Sequence, residues 1–445
     1  MKLNSITVGG YKNLQRSKIK LSKITAIISP NNYGKTNLLE AIDFGAEFLR
    51  SNAKGRSQMM RWMKGIPINR TNETDEFFFE IEIEDETLED YRFIRYGYSF
   101  AWYRDDGTGQ SITNEWLDAR PNESVRYTSY LKRTEGKYRK EKDTASFRKI
   151  LLDKCQLSID VLSSIDDIAL LPVIKTIQKF DYHICSALDL GDRFQAAPIE
   201  YIDQNDSGEI RFDDRDVPRA LYKLKEIDPE KYNLFLEAIY NLFPEFRSVS
   251  VQSLEVKKEY SQLNLVFSDK KGDLPSSTIS ESSNKIPFRV RDEMYRVLIS
   301  SEYLNQPINM SMMSTGTKRI FWLLANVFIA SSKNMSLIGV EELETSIHPR
   351  LLKSLLEILD EVLDNTSLII SSHSPFLVQY IKPDRIYVGI PNPYGTACFK
   401  KVKTSRIKHL VTTARDNSMA VGEFLFELLS GDSEATEVLS FFMED

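Results

Sequence analysis

One short segment, residues 24–42, constrains this chain more than any other. Ile24 to Ser29 is an apolar run, and Pro30, Asn31, Asn32, Tyr33, Gly34, Lys35 and Thr36 follow it directly. The run fits the phosphate-loop pattern G-x-x-x-x-G-K-[ST], except that Ser29 stands where the first glycine belongs. A loop of this kind wraps a triphosphate in backbone N–H groups. Lys35 then reaches the β- and γ-phosphates, and the Thr36 hydroxyl holds Mg2+. Asn37 to Ile42 read as a helix whose positive N-terminus faces the phosphates. Strand, loop and helix in this order predict an α/β chain built on a sheet.

Bulk properties narrow the rest. The chain has 445 residues, enough for two or three domains. Its net charge of -6 excludes a generally basic nucleic-acid binder, so any DNA contact must come from a local patch. Cys155, Cys185 and Cys398 are scattered singly, which suits a reduced, cytoplasmic protein and argues against a disulfide framework or a Cys-based zinc site. The start at Met1 to Asn4 lacks the apolar stretch of a signal peptide. No apolar run approaches the roughly 18 residues of a membrane span.

Along the chain, strands are expected at Lys2–Val8 and Ile24–Ser29. Strict alternation over Phe79 to Glu84, then an aromatic run from Tyr91 to Tyr103, predicts an antiparallel segment over 77–103. Helical spacing over Ile150–Leu162, Ile165–Ala187 and Val217–Leu242 predicts a compact helical lobe without sustained heptads. Alternation returns over 246–268, a Ser-rich polar linker follows over 270–285, and α/β character resumes from Met310 to Val402. The domain expectation is a discontinuous core over 1–120 and 246–403, a helical insertion over 121–245, and a helical tail over 404–445.

Three further motifs carry chemistry. Met335 to Val340 is an apolar strand ending in Glu341 and Glu342. The first acid is placed to hold Mg2+ and the second to polarise an attacking water. The first is ordinarily Asp; the extra methylene of Glu341 moves the carboxylate outward by about 1.3 Å. Thr366 to Ser372 is another apolar strand, running into His373, whose neutral imidazole can donate to a γ-phosphate. Ser314, Thr315, Gly316 and Thr317 open a strongly apolar helix, and form either a second anion-binding terminus or a plain helix cap.

Together these residues resemble an ABC-type ATPase head of the SMC/RecF/OLD group, most like the stand-alone AAA-family ATPases of prokaryotic defence systems. The likeness rests on Gly9 to Leu14, the P-loop, Ser314 to Arg319, Glu341 to Pro349 and Ser371 to Pro375. It implies a mixed sheet with a P-loop core, an antiparallel β segment and an inserted helical lobe. It also implies two ATP held between two heads packed head-to-tail, in a homodimer or a larger even-numbered homo-oligomer. By motif match, Lys12, Asn31, Gly34, Lys35, Thr36 and Asn37 would bind nucleotide, with Thr36 and Glu341 on Mg2+. Ser314 and Gly316 would reach the partner's γ-phosphate, Glu342 would be the catalytic base and His373 the switch histidine. Glu344 to Ser346 matches the loop that couples the two sites. A Q-loop glutamine could be Gln195 or Gln204. Ser29 and Glu341 depart from the family pattern and point to slow hydrolysis, with ATP acting as a state signal.

Relatives of the OLD kind continue into a nuclease, but no such cluster is evident here. The likeness therefore extends to the ATPase subunit of two-component antiphage systems, the Septu type first and the PARIS type second. Such a subunit would work with a separate HNH or Toprim effector. The apolar helix carrying Phe424, Phe426, Leu428 and Leu429 either docks that effector or packs on its own domain. The basic stretch from Lys132 to Lys149, with Tyr130 and Tyr138 interleaved, either tracks a DNA backbone or is a solvated charged segment. The alternative function is a RecF-like DNA-repair ATPase acting without an effector. A transporter's nucleotide-binding subunit fits less well, given Glu344, His348 and Pro349 and the large insertion.

Overall fold

The computed structural model describes residues 1–61, 66, 68–72, 76–139, 146–165, 169–185, 193–195, 199–201, 216–255, 288–290, 292–390, 392 and 394–444. The linker expected over 270–285 lies outside them. The chain forms two compact units, Met1–Leu188 with Lys333–Asp445, and Asp189–Ser332.

The first unit is built on two sheets. One is antiparallel, in the order Ser17–Lys20, Lys2–Gly9, Phe77–Glu84, Phe93–Ala101, Ser111–Arg120, Thr128–Lys132, Lys137–Tyr138, Arg148–Lys149. The alternation read over Phe79 to Glu84 is realised and extends over Phe77–Glu84: Phe77, Phe79, Ile81 and Ile83 are buried, while Phe78, Glu80, Glu82 and Glu84 are only partly so. The second sheet runs Tyr182–Cys185, Leu337–Glu341, Ser367–Ser372, Ile24–Ile28, Ile386–Gly389, Phe399–Lys401, parallel except at the last pair. Its central strands are apolar on both faces, as a covered parallel sheet requires.

The P-loop helix, Lys35–Arg50, is anchored on the aromatic face of the antiparallel sheet. Phe44 meets Phe77 at 5.0 Å between ring centroids, and Phe48 stacks on Phe100 at 4.7 Å and on Tyr98 at 5.0 Å. The Tyr98 hydroxyl donates to the Gly45 carbonyl at 2.6 Å, so this buried hydroxyl is satisfied. The helix that presents Lys35 and Thr36 is thereby anchored through its C-terminal half.

The second unit holds the helices Val217–Ile227 and Pro229–Leu242, each with an aspartate cap (Asp216 and Asp228) and a proline in its first turn. A meander of Phe246–Glu255, Glu293–Ser301 and Ile308–Asn309 and most of the helix Thr315–Lys333 complete it. Phe235 packs edge-on against Phe321 and Phe328 at 5.8 and 6.1 Å.

Two expectations change. The helical insertion over 121–245 is not one lobe. Strands at 128–149 extend the antiparallel sheet, and Tyr182–Cys185 is the edge strand of the P-loop sheet. Short apolar runs fit either period, and here pairing with Leu337 to Val340 decided for strand. The compact units therefore put residues 121–188 with the P-loop and 246–332 with the helices of the second unit. The tail folds back on the first unit: Leu410, Phe424, Leu425, Leu439 and Phe442 are buried, and Lys403 N–H donates to the Phe442 carbonyl at 2.8 Å. Among the described residues no helix is long and apolar enough to cross a membrane.

Phe48→Ala should destabilise the protein by about 3–5 kcal/mol, since it removes a fully buried ring sandwiched between aromatic neighbours. Urea unfolding measures this; a loss below about 1 kcal/mol would contradict the anchoring role given to the helix face.

Candidate nucleotide site

Three parallel strands end together. Glu341 pairs with Ser371, and Ser371 with Ile27, so the P-loop, the paired acids and His373 all leave the sheet at its carboxyl edge. Beyond that edge lies a cleft of about 790 Å3 whose lining includes Ser29, Asn31, Glu342, Glu344 and His373.

The loop's geometry explains its unusual first residue. The left-handed positions are Asn32, at φ 59°, and Gly34, at φ 104°; Ser29 is not among them. Only Gly34 therefore has a conformational need for glycine, sharpened by Ala397 and Asn13, which leave no room for a Cβ. The extra Cβ of Ser29 occupies space left by Gly389 on the next strand, where a Cβ would stand 2.8 Å from that of Ser29. The serine is accommodated by a glycine elsewhere and imposes no backbone strain. It also adds a ligand: Lys35 Nζ donates to the Ser29 carbonyl at 2.7 Å, to the Pro30 carbonyl at 3.1 Å and to Ser29 Oγ at 3.3 Å.

Lys35 is 6% exposed. Burial pulls its pKa down to about 8, against the opposing pull of Glu342, Glu341 and Glu344. Its Nζ also lies 3.5 Å from His373 Nδ1. An ammonium can only donate, so Nδ1 faces it as acceptor and the ring proton belongs on Nε2. Burial first, and the Lys35 charge second, hold the His373 pKa below the usual histidine value. His373 Nε2 stands 3.9 Å from Glu342 Oε1, too long for a hydrogen bond, so the ring N–H is not spent on that carboxylate.

The Thr36 hydroxyl hydrogen-bonds the Glu341 carboxylate, whose pKa is raised chiefly by burial. One hydroxyl and one carboxylate suit Mg2+, which takes few protein oxygens and completes its shell with phosphates and water. Among the described residues no cluster of three or more His, Cys, Asp or Glu could hold a metal without nucleotide. Glu342 follows in a left-handed conformation, φ 45°, and Ser346 closes the same turn at φ 66°. Each such non-glycine residue costs roughly 1–2 kcal/mol, so the turn is held by its surroundings. Those include Glu342 N–H to the Ser371 carbonyl at 2.9 Å and Thr345 Oγ1 to Glu342 Oε2 at 3.3 Å.

The other residues singled out from the sequence distribute as follows. Asn31 is exposed on the loop. Lys12, left-handed at φ 51°, forms an ion pair with Glu40 of the P-loop helix. Asn37 Nδ2 donates to Asn13 Oδ1 at 2.7 Å, and Asn13 Nδ2 donates to the Gly395 carbonyl at 3.2 Å. Asn13 is thus a brace for the loop that motif reading passed over. Ser314 and Gly316 belong to the second unit; Ser314 Oγ caps its helix by accepting from Thr317 N–H at 3.2 Å. Gln195 is exposed in that unit, and Gln204 lies outside the described residues, as does part of the basic stretch from Lys132 to Lys149. The helix Val421–Ser430 is no free docking face: Phe424, Leu425, Leu428 and Leu429 are buried, and Phe426 and Leu429 border the cleft.

Nucleotide affinity should fall above pH 8, because binding phosphates then requires Lys35 to take up a proton. The limiting slope is about tenfold per pH unit. Calorimetry at pH 8.5 in buffers of different ionisation enthalpy reads that uptake directly. Affinity independent of pH between 7 and 9.5, without proton uptake, would contradict the role given to Lys35.

A family model described as "AAA domain, putative AbiEii toxin, Type IV TA system" matches residues 24–379. Comparison with curated proteins gives no match. Among solved structures, an SMC head bound to the C-winged helix domain of ScpA aligns with a TM-score of 0.50 at 13% identity, over 92% of this chain and all of that one. The SMC head domain from Thermotoga maritima gives 0.43 at 12% identity, over 91% and 100%. An Smc head with an extended coiled coil, bound to the C-terminal domain of ScpA derived from Pyrococcus furiosus, gives 0.47 at 12%, over 93% and 99%. The fold is that of an SMC-type ABC ATPase head, and the chain belongs to this family of AAA-domain ATPases.

Proposed function

We propose that this chain is a slow ATPase that closes head-to-tail with a second copy around ATP, and that its ATP state governs a separate nuclease in an antiphage defence complex. The observation carrying the catalytic part is the convergence of Lys35, Thr36, Glu341, Glu342 and His373 at one sheet edge.

In this reading Lys35 and the backbone of residues 30–36 bind the β- and γ-phosphates. Thr36 and Glu341 would hold Mg2+, which would supply positive charge against the phosphates. Glu342 polarises the attacking water, and His373, protonated on Nε2, donates to the γ-phosphate. Ser314 and Gly316 of a second copy complete the site, since an exposed, capped helix terminus is an anion site in need of an anion. The family description, which names a toxin of a toxin–antitoxin system, supports a defensive role. An SMC head that carries a domain of another protein supports the idea of a separate partner.

Glu342→Gln should bind ATP but hydrolyse it slowly, trapping a dimer. Light scattering with and without ATP tests this, and an unchanged mass with ATP bound would sink the composite site. Co-purification with a nuclease encoded beside this chain tests the effector. ATP turnover stimulated by DNA alone, with no such partner retained, would favour the RecF-like alternative.

A further inference from the structure

Glu344 has no role in the chemistry described so far, yet it holds the backbone on which His373 sits. One carboxylate oxygen, Oε1, accepts from Ser372 Oγ at 2.7 Å and from His373 N–H at 3.0 Å. Ser372 is fully buried, and its Oγ in turn accepts from Ser374 N–H at 2.9 Å. A single oxygen therefore holds the residue before the histidine and the histidine's own N–H, and the serine it engages fixes the residue after. Hydrogen bonds to an ionised acceptor are the strong ones. The carboxylate comes from the acidic turn, whose own closure runs through Ile347 N–H to the Glu344 carbonyl at 3.0 Å and Thr345 N–H to the Glu342 carbonyl at 3.0 Å. Turn and histidine are thereby one rigid piece.

We infer that Glu344 is a positioning residue: it clamps the Ser372–Ser374 turn so that the His373 imidazole keeps its place between Lys35 and Glu342. The clamp acts on the rate of hydrolysis and leaves nucleotide binding to the P-loop. Its Oε1 is engaged by Ser372 and by the His373 N–H, and so sets the backbone from which the ring projects. A turn that changes shape would move the histidine with it, so the residue also ties the two elements to one conformational state. This inference rests on His373 acting at the γ-phosphate, and the test below separates the two.

Steady-state turnover and fluorescent-nucleotide affinity are measured for His373→Ala, Glu344→Ala, Glu344→Gln and Ser372→Ala. Glu344→Ala should lower kcat by about ten- to a hundredfold, with affinity changed by no more than about threefold. Glu344→Gln keeps a carbonyl oxygen for both donors, so its kcat should stay within about threefold of the parent. It loses the charge that favours protonated His373, so the acidic limb of its pH–rate profile should move to lower pH. The lost charge moves that limb whatever the clamp does, so positioning is read from kcat: a clamp that matters only for folding leaves kcat per folded molecule at the parent value in Glu344→Ala. Should Glu344→Ala fail to fold, a partial loss of kcat in Ser372→Ala with affinity kept decides. Parent kcat in Glu344→Ala, or an equal loss in Glu344→Gln, overturns the inference. An unchanged rate in His373→Ala overturns instead the reading of His373 on which it rests.

Discussion

Everything at the candidate site depends on the parallel pairing of Leu337–Glu341, Ser367–Ser372 and Ile24–Ile28. Parallel strands end at the same edge, so three loops distant in sequence meet there. The register fixes which side chains meet: Glu341 beside Ser371, and Ser371 beside Ile27. A slip of one residue would turn Glu341 to the opposite face and take it from Thr36. The apolar character of these strands is therefore a condition of function as well as of stability. The aromatic platform beneath the P-loop helix has a matching part, holding Lys35 and Thr36 over that edge.

The electrostatics follow from burial at this edge. Lys35 is enclosed by carbonyls and approached by three glutamates, and desolvation still dominates its titration. An ammonium so poised gains from a phosphate that replaces carbonyl dipoles with full negative charge. The same ammonium sets the tautomer of His373 and helps to keep it neutral, which leaves an N–H for donation. In the proposed reading, binding and sensing thus share one charge. The serine in place of the first glycine fits the same scheme, since its carbonyl and hydroxyl both receive Lys35 and its bulk is matched by Gly389.

Motif chemistry was legible in the sequence because it needs fixed residue types at fixed spacing. Ile24 to Thr36, Glu341 with Glu342, and His373 could be placed at strand ends from the letters alone, and the alternating strand at Phe79 to Glu84 from its period. Pairing between distant segments was not legible. Tyr182–Cys185 has no local mark distinguishing it from a helix turn; its partner at Leu337 to Val340 decides. The same holds for the tail, where burial of Phe424 and Leu428 depends on elements that no local pattern names. The brace at Asn13 and the bonds of Glu344 to Ser372 and His373 were hidden for a related reason, although Glu344 itself stood in a recognised motif: these hydrogen bonds cross between loops.

The central claim is that each complete site takes its P-loop from one copy and Ser314 from another. Two inactive variants, Lys35→Ala and Ser314→Arg, test it when mixed. In a two-fold head-to-tail dimer, the mixed pair pairs an intact P-loop with an intact Ser314 at one of its two sites. ATP hydrolysis should be absent in either variant alone and return on mixing. Full activity of Ser314→Arg by itself, or no recovery in a mixture shown to exchange subunits, would contradict it.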